Sequence, residues 1–191
     1  MNLLRKHIQK FELLSDEEFN HISSYFKLHK FKKNEVIVNN GEFNTQKYFV
    51  LGGLLKSYFL DKSGNEYVLQ FAESESWILD FESFYNNSSS SIIIDCITDV
   101  EALSISHKDF ITLKKEVHIM SDFFCNQRVL YFIQQQNRIK ANLKLNSIER
   151  FNHFLITHPN IFKKIPMKTI ASYIGVTRET LSRNINTPLL K

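Results

Sequence analysis

Cysteine is scarce: the 191 residues hold two, Cys96 and Cys125. Two thiols cannot build a disulfide framework or the four-thiolate ligand set of a metal or iron–sulfur centre. A reducing cytoplasm is the expected compartment, and both cysteines read as packing residues rather than redox switches. Apolar runs extend for only a few residues, so no membrane-spanning helix is expected. Met1 to Lys10 carries charge but no apolar stretch, so no secretory leader is expected. The seven histidines are scattered and form no H-x-H pair, which argues against a cupin-type metal site or a haem ligand. There is no G-x-S-x-G elbow and no glycine-rich phosphate loop. Catalysis, metals and cofactors are therefore not expected. Glycine is also sparse: four of the five lie at or before Gly64, and the last is Gly175. Hydrophobic residues at 43% and charged residues at 23% are ordinary for a globular chain, long enough for one domain or two.

The net charge of +4 conceals a segregation. Residues 137–191 hold ten basic groups against two acidic ones, a balance of +8, whereas residues 1–136 stand at −4. A basic C-terminal region on a mildly acidic body suggests a polyanion partner, nucleic acid first, although a solvated lysine-rich surface gives the same count.

Three textures follow along the chain. Residues 3–29 read as amphipathic helix, with Ser15 and Glu18 spaced as a capping box opening a helix to about Phe26. Residues 31–105 read as short strands: Glu35–Val38, Tyr48–Leu51, Leu54–Leu60, Glu66–Phe71, Ile92–Ile97 and Ala102–Ile105. Asn39 to Glu42 and Asp61 to Asn65 supply turns, and the whole reads as a barrel or sandwich. From His107 the pattern is helical. Ile119, Phe123, Leu130, Ile133 and Asn137 form one stripe of a long helix ending near Leu145. Apolar neighbours widen that stripe, so the helix is expected to pack on its own domain and on a second subunit. A core helix of a single chain would show the same pattern. Ser147 to Thr157 reads as a shorter helix, stopped before Pro159.

The strongest local signal is Ile165 to Ile185. Ile170 to Ile174 is a short helix, Gly175 a left-handed turn, and Thr177 the N-cap of a second helix from Arg178 to about Asn184. Ile170, Ile174, Val176 and Leu181 form a small core, and Ala171 lets the helices approach. This is a helix-turn-helix, whose second helix enters the DNA major groove. Arg178, Glu179, Ser182 and Arg183 lie on its exposed face and carry groups that read base edges. An ordinary helical corner with surface charges is the bland alternative.

The stretch from Gly175 to Arg183 resembles the recognition-helix signature of the Crp/Fnr family of bacterial transcription regulators. Asn40-Gly41-Glu42, Tyr48 to Gly53 and Asp61 to Glu66 resemble turns and strands of that family's cyclic-nucleotide-binding barrel. The resemblance covers nearly the whole chain. It implies an α+β architecture: a double-stranded β-helix (jelly-roll or cupin-like) barrel with flanking helices over 1–106, a long dimerisation helix over 107–145, and an all-α winged-helix-like DNA-binding domain over 146–191 with the wing missing. It further implies a cytoplasmic homodimer on a near-palindromic operator. Thr177, Arg178, Glu179, Ser182 and Arg183 would face DNA, Lys168 would contact phosphate, and RNA polymerase would be a further partner.

Two departures stand out. The stretch corresponding to the family's ligand cassette runs from Trp77 to Ile92, with Asp80, Phe81, Glu82, Ser90 and Ser91 as pocket residues. Ser90 and Ser91 stand where the resemblance calls for an arginine and a serine. No Arg or Lys lies between Lys62 and Lys108, and the cassette has no glycine. A buried phosphate would lack its charge-assisted hydrogen bonds, so cyclic AMP is not expected to bind. Beyond Ile185 only six residues remain, including Pro188, and Asn184 replaces an expected apolar residue. The rival readings are a degenerate member that dimerises or binds a protein partner without reading DNA, and a cupin-type enzyme. The salt dependence of duplex binding separates the first, and metal analysis the second.

Overall fold

The computed structural model describes residues 1–186. Helices α1 (Asn2–Gln9) and α2 (Asp16–Ser24) come first. α2 begins as the sequence indicates: Ser15 Oγ accepts from Glu18 N, and the Glu18 carboxylate accepts from Ser15 N at 2.9 Å. Eight strands follow: β1 (Lys27–Phe31), β2 (Val36–Val38), β3 (Gln46–Gly52), β4 (Leu55–Leu60), β5 (Glu66–Ala72), β6 (Trp77–Ile78), β7 (Ile93–Cys96) and β8 (Val100–Ser106). Helix α3 (Phe81–Asn86) lies between β6 and β7. The strands form two four-stranded sheets, ordered β1-β8-β3-β6 and β2-β7-β4-β5, with every pairing antiparallel. Val38, Leu55, Ala72 and Ile94 of one sheet join Tyr48, Val50, Ile78 and Ala102 of the other in one buried cluster. The chain is thus α+β, as expected.

The N-terminal helical texture ends earlier than the sequence suggests. Residues 27–31 form β1 at the margin of its sheet, where a mostly exposed Lys-Leu-His-Lys-Phe run hides its period. β6 and α3 are likewise too short to declare themselves. At the turn between β3 and β4, Gly53 adopts φ +95°, and a Cβ there would meet the Asp99 carbonyl at 2.3 Å.

The remaining helices are α4 (His107–Glu116), α5 (His118–Lys144), α6 (Ser147–Thr157), α7 (Pro159–Phe162), α8 (Met167–Ile174) and α9 (Arg178–Asn186). Val117 interrupts the helical run between α4 and α5 with extended backbone. α6 opens on a second capping box, Asn146 with Glu149. The first half of α5 buries Met120, Phe123 and Phe124 against α1, α2 and α4. There Lys47 of β3 is held at 3% exposure, with its Nζ 4.4 Å from the Trp77 ring centroid and 4.6 Å from that of Phe124. Burial, with the nearby Arg128 charge, pushes the Lys47 ammonium down to about 7.

The C-terminal helices lie on the second sheet. Phe154, Ile161, Ile170, Ala171 and Ile174 share a buried cluster with Leu54, Tyr58, Val68 and Phe71. Polar bonds reinforce the contact. Ser172 Oγ donates to Glu66 O at 2.6 Å and accepts from Val68 N at 2.9 Å. A bulge in the β4–β5 pairing leaves Leu69 without a cross-strand partner. The Arg138 guanidinium of α5 donates to the Leu69 carbonyl, to Val68 O at 2.7 Å and to Tyr173 O at 2.7 Å. Its carbon also stands 4.1 Å from the Tyr173 ring centroid. One side chain thus joins α5, β5 and α8.

Candidate nucleic-acid interface

Gly175 caps α8 at φ 73° and ψ 40°, the left-handed conformation that glycine adopts without strain. The Val176 N–H returns to Ala171 O at 3.0 Å, closing the helix end. Thr177 Oγ1 then accepts from Thr180 N at 3.1 Å, which starts α9. Leu181 is fully buried against Ile170, Ala171 and Ile174. This packing leaves Thr177, Arg178, Glu179, Ser182 and Arg183 together on the exposed face, with Lys168 exposed on α8. All six predicted DNA-facing residues are therefore accessible. The Arg183 Nε lies 3.4 Å from Glu179 O, one turn back on the same helix. Positive guanidinium groups and a negative N-terminal carboxylate on one helix face can donate to guanine and accept from cytosine. The expectations about Pro188 and the missing wing fall on residues 187–191, outside the described residues; so does the side chain of Asn184.

Two of the ten basic groups counted in the C-terminal region serve the interior instead. Arg138 makes the three-way junction described above, and Arg150 donates to Ile174 O at 2.9 Å. Composition cannot reveal this, because a guanidinium that saturates internal carbonyls contributes to the same tally as one facing solvent.

The cassette residues also converge. Asp80 is 4% exposed and N-caps α3, accepting from Glu82 N at 2.9 Å and Ser83 N at 3.3 Å. Its other oxygen accepts from Ser90 Oγ at 2.6 Å and Ser91 N at 3.3 Å. Ser91 Oγ stands 3.5 Å from Glu82, and Phe81 stacks on Tyr131 of α5 at 4.7 Å. The backbone and hydroxyl donors of this loop are turned onto a carboxylate supplied by the chain itself.

On α5 the predicted stripe divides. Ile119 and Phe123 pack on the core of their own chain. Leu130 and Ile133 are about half exposed, and Asn137 is exposed. A second uncovered and mostly apolar line runs one position away, through Cys125, Val129, Phe132, Gln136, Ile139 and Leu143, at alternating spacings of four and three. Sequence reasoning missed this line because apolar residues surround the second half of α5, and only folding shows which are covered.

A β-fold joined by a long helix to a helix-turn-helix is the arrangement of the chain, and the comparisons return folds of the same kind. Residues 28–116 match the family model described as the cyclic nucleotide-binding domain. The chain shares its fold with solved structures, one of them described as a regulator of the Crp/Fnr family. FixK2 from Bradyrhizobium japonicum superposes with a TM-score of 0.71 at 17% identity, over 84% of this chain and 82% of that one. A protein from Eubacterium rectale, described as a transcriptional regulator of the Crp/Fnr family, gives 0.69 at 21% identity, over 89% and 81%. CooA from Carboxydothermus hydrogenoformans gives 0.67 at 14%, over 92% and 84%. No curated protein matches the sequence. Among the described residues, no helix is long and apolar enough to cross a membrane.

Proposed function

We propose that the chain is a DNA-binding transcription regulator of the Crp/Fnr type, acting as a homodimer without catalytic activity. The observation that carries this reading is the exposed row of Thr177, Arg178, Glu179, Ser182 and Arg183 on a helix whose opposite face is buried. Residues 1–106 form the sensory unit, with the strand order of a jelly roll. Residues 107–145 carry dimerisation, and residues 146–191 read DNA. A two-fold dimer presents its recognition helices about one DNA turn apart, roughly 34 Å, on a near-palindromic site. Gel-shift titration on a duplex recovered by site selection tests this. Arg183→Ala should weaken binding by about ten- to a hundredfold, the loss of one bidentate base contact. Equal retention of both proteins would remove α9 from the role of reader.

The dimer contact proposed is the line from Cys125 to Leu143, whose four-three spacing is that of a coiled-coil seam. Phe132 is 60% exposed at its middle. Phe132→Ser should convert the dimer to a monomer in light scattering at micromolar concentration. A monomeric wild-type chain would discard the seam.

Cyclic AMP is not the effector in this reading. The Asp80 carboxylate already takes the donors of Ser90 and Ser91, and a phosphate placed there would meet that negative charge with no cation in the cassette. Calorimetry should show no heat of binding; micromolar affinity would overturn the point.

A further inference from the structure

The uncovered line on α5 from Cys125 to Leu143 spans about 27 Å of helix. Val129, Phe132, Ile139 and Leu143 are each half or more exposed, whereas Tyr131, Arg138 and Ala141 are partly covered by the chain's own body. One member of the line differs in kind. Gln136 stands between Phe132 and Ile139, is exposed, and has no hydrogen-bond partner among the described residues. Burying that amide on an apolar surface is costly unless it meets another polar group.

A second copy of this chain supplies that group in one arrangement. Two parallel α5 helices in register set each seam residue beside its own counterpart, so Gln136 meets Gln136 and one Nε2 donates to the other's Oε1. A slip of one heptad sets the amide against Val129 or Leu143. An antiparallel pair that matches the full line sets Cys125 opposite Leu143, Val129 opposite Ile139 and Phe132 opposite Gln136, so each amide is buried on a phenyl ring. Centring the antiparallel pair on Gln136 instead drives Lys140 against Phe132. The flanks suit the parallel solution as well. There the flanking positions meet five residues apart, which brings Arg128 to Ile133 and Gln135 to Lys140 across the two copies, and no like charges face each other.

We infer that Gln136 sets the orientation and register of the α5 contact, by pairing with its own counterpart in a second copy so that both helix-turn-helix units emerge at the same end. The inference rests on the dimer contact proposed above. Disulfide mapping on the full chain tests it, with diamide taking two electrons and two protons from a pair of thiols. Cys125 is exposed on the seam and Cys96 is buried, so the wild-type dimer should link through Cys125 alone. In a Leu143→Cys background a parallel pair gives 125–125 and 143–143 links, and an antiparallel pair gives 125–143 links, told apart by peptide mass. The wild-type seam should give the first pattern. Gln136→Leu should tighten the dimer by about tenfold in sedimentation, the scale of one buried polar contact, and let 125–143 links appear. Gln136→Asn, which keeps the amide, should retain the wild-type pattern. Gln136 is exposed in the single chain, so these changes leave its own packing intact. A monomeric wild-type chain would overturn both this inference and the dimer contact. A wild-type dimer with 125–143 links, or a Gln136→Leu dimer as purely parallel as wild type, would overturn the role of Gln136 and leave the contact standing.

Discussion

Gly53→Ala is expected to abolish the folded state of the sheets. The added Cβ would sit 2.3 Å from the Asp99 carbonyl and 2.8 Å from the Val100 Cα, both backbone atoms that cannot swing aside. The residue would also be held at φ +95°, a conformation that L side chains rarely adopt. Asp99 and Val100 enter β8, the strand between β1 and β3, so a displacement there disturbs two ladders at once. The loss should exceed about 4 kcal/mol, in the tail of single substitutions, and appear as insoluble expression or a collapsed unfolding transition. Gly52→Ala is the control. Its Cβ would meet nothing within 4 Å, and its φ lies outside the left-handed region. Its effect should stay within about 1 kcal/mol. Similar unfolding of the two variants would show that the close approach at Gly53 is not what holds this turn.

Lys47→Met should have the opposite sign. A thioether of similar length keeps the packing under Trp77 and Phe124 and removes a charge without a partner, so stability near neutral pH should rise by about 1–4 kcal/mol. The pH dependence identifies the cause. The amine titrates near 7 in the folded chain and near its ordinary 10.5 when unfolded. Below pH 7 both states are protonated and the folded state bears the whole cost of the buried charge. Between 7 and 10.5 the unfolded chain binds a proton that the folded chain does not, so rising pH favours folding and the cost fades. The advantage of Lys47→Met should thus be largest at pH 6 and small at pH 10. Urea unfolding at the two values measures it, and an advantage independent of pH would refute the explanation.

How far the sequence could be read depends on the range of the interactions. The capping box at Ser15, the end of α5 at Leu145 and the turn at Gly175 were legible because each is fixed within a few residues. β1 was not, because its alternation is masked by lysines at an uncovered sheet margin. Nor was α3, six residues long, whose start depends on the buried Asp80. The chemistry-bearing face of α9 was legible from its own spacing. The closure of the cassette was only half legible: the absence of a cation could be counted, but not the capture of Ser90 and Ser91 by Asp80, a bond that spans ten residues. Arg138 and Lys47 were opaque for the same reason. Their partners lie on β5, α8, β6 and α5, and only the folded chain shows that one saturates carbonyls while the other has no counter-ion.

The bonds from Ser172 and Arg138 have one more consequence. β5 is the outermost strand of its sheet, and its free side would offer unpaired peptide groups to any neighbouring chain. Ser172 answers the Val68 amide and the Glu66 carbonyl, and Arg138 answers the carbonyls of Val68 and Leu69, so the seated helices work as a cover for that edge. Any movement that swings α8 away, as the proposed DNA reading would require, lays bare a strand able to pair with another molecule. Solubility and freedom of the helix-turn-helix are therefore opposed in this fold, and the docked arrangement is also its protection against aggregation.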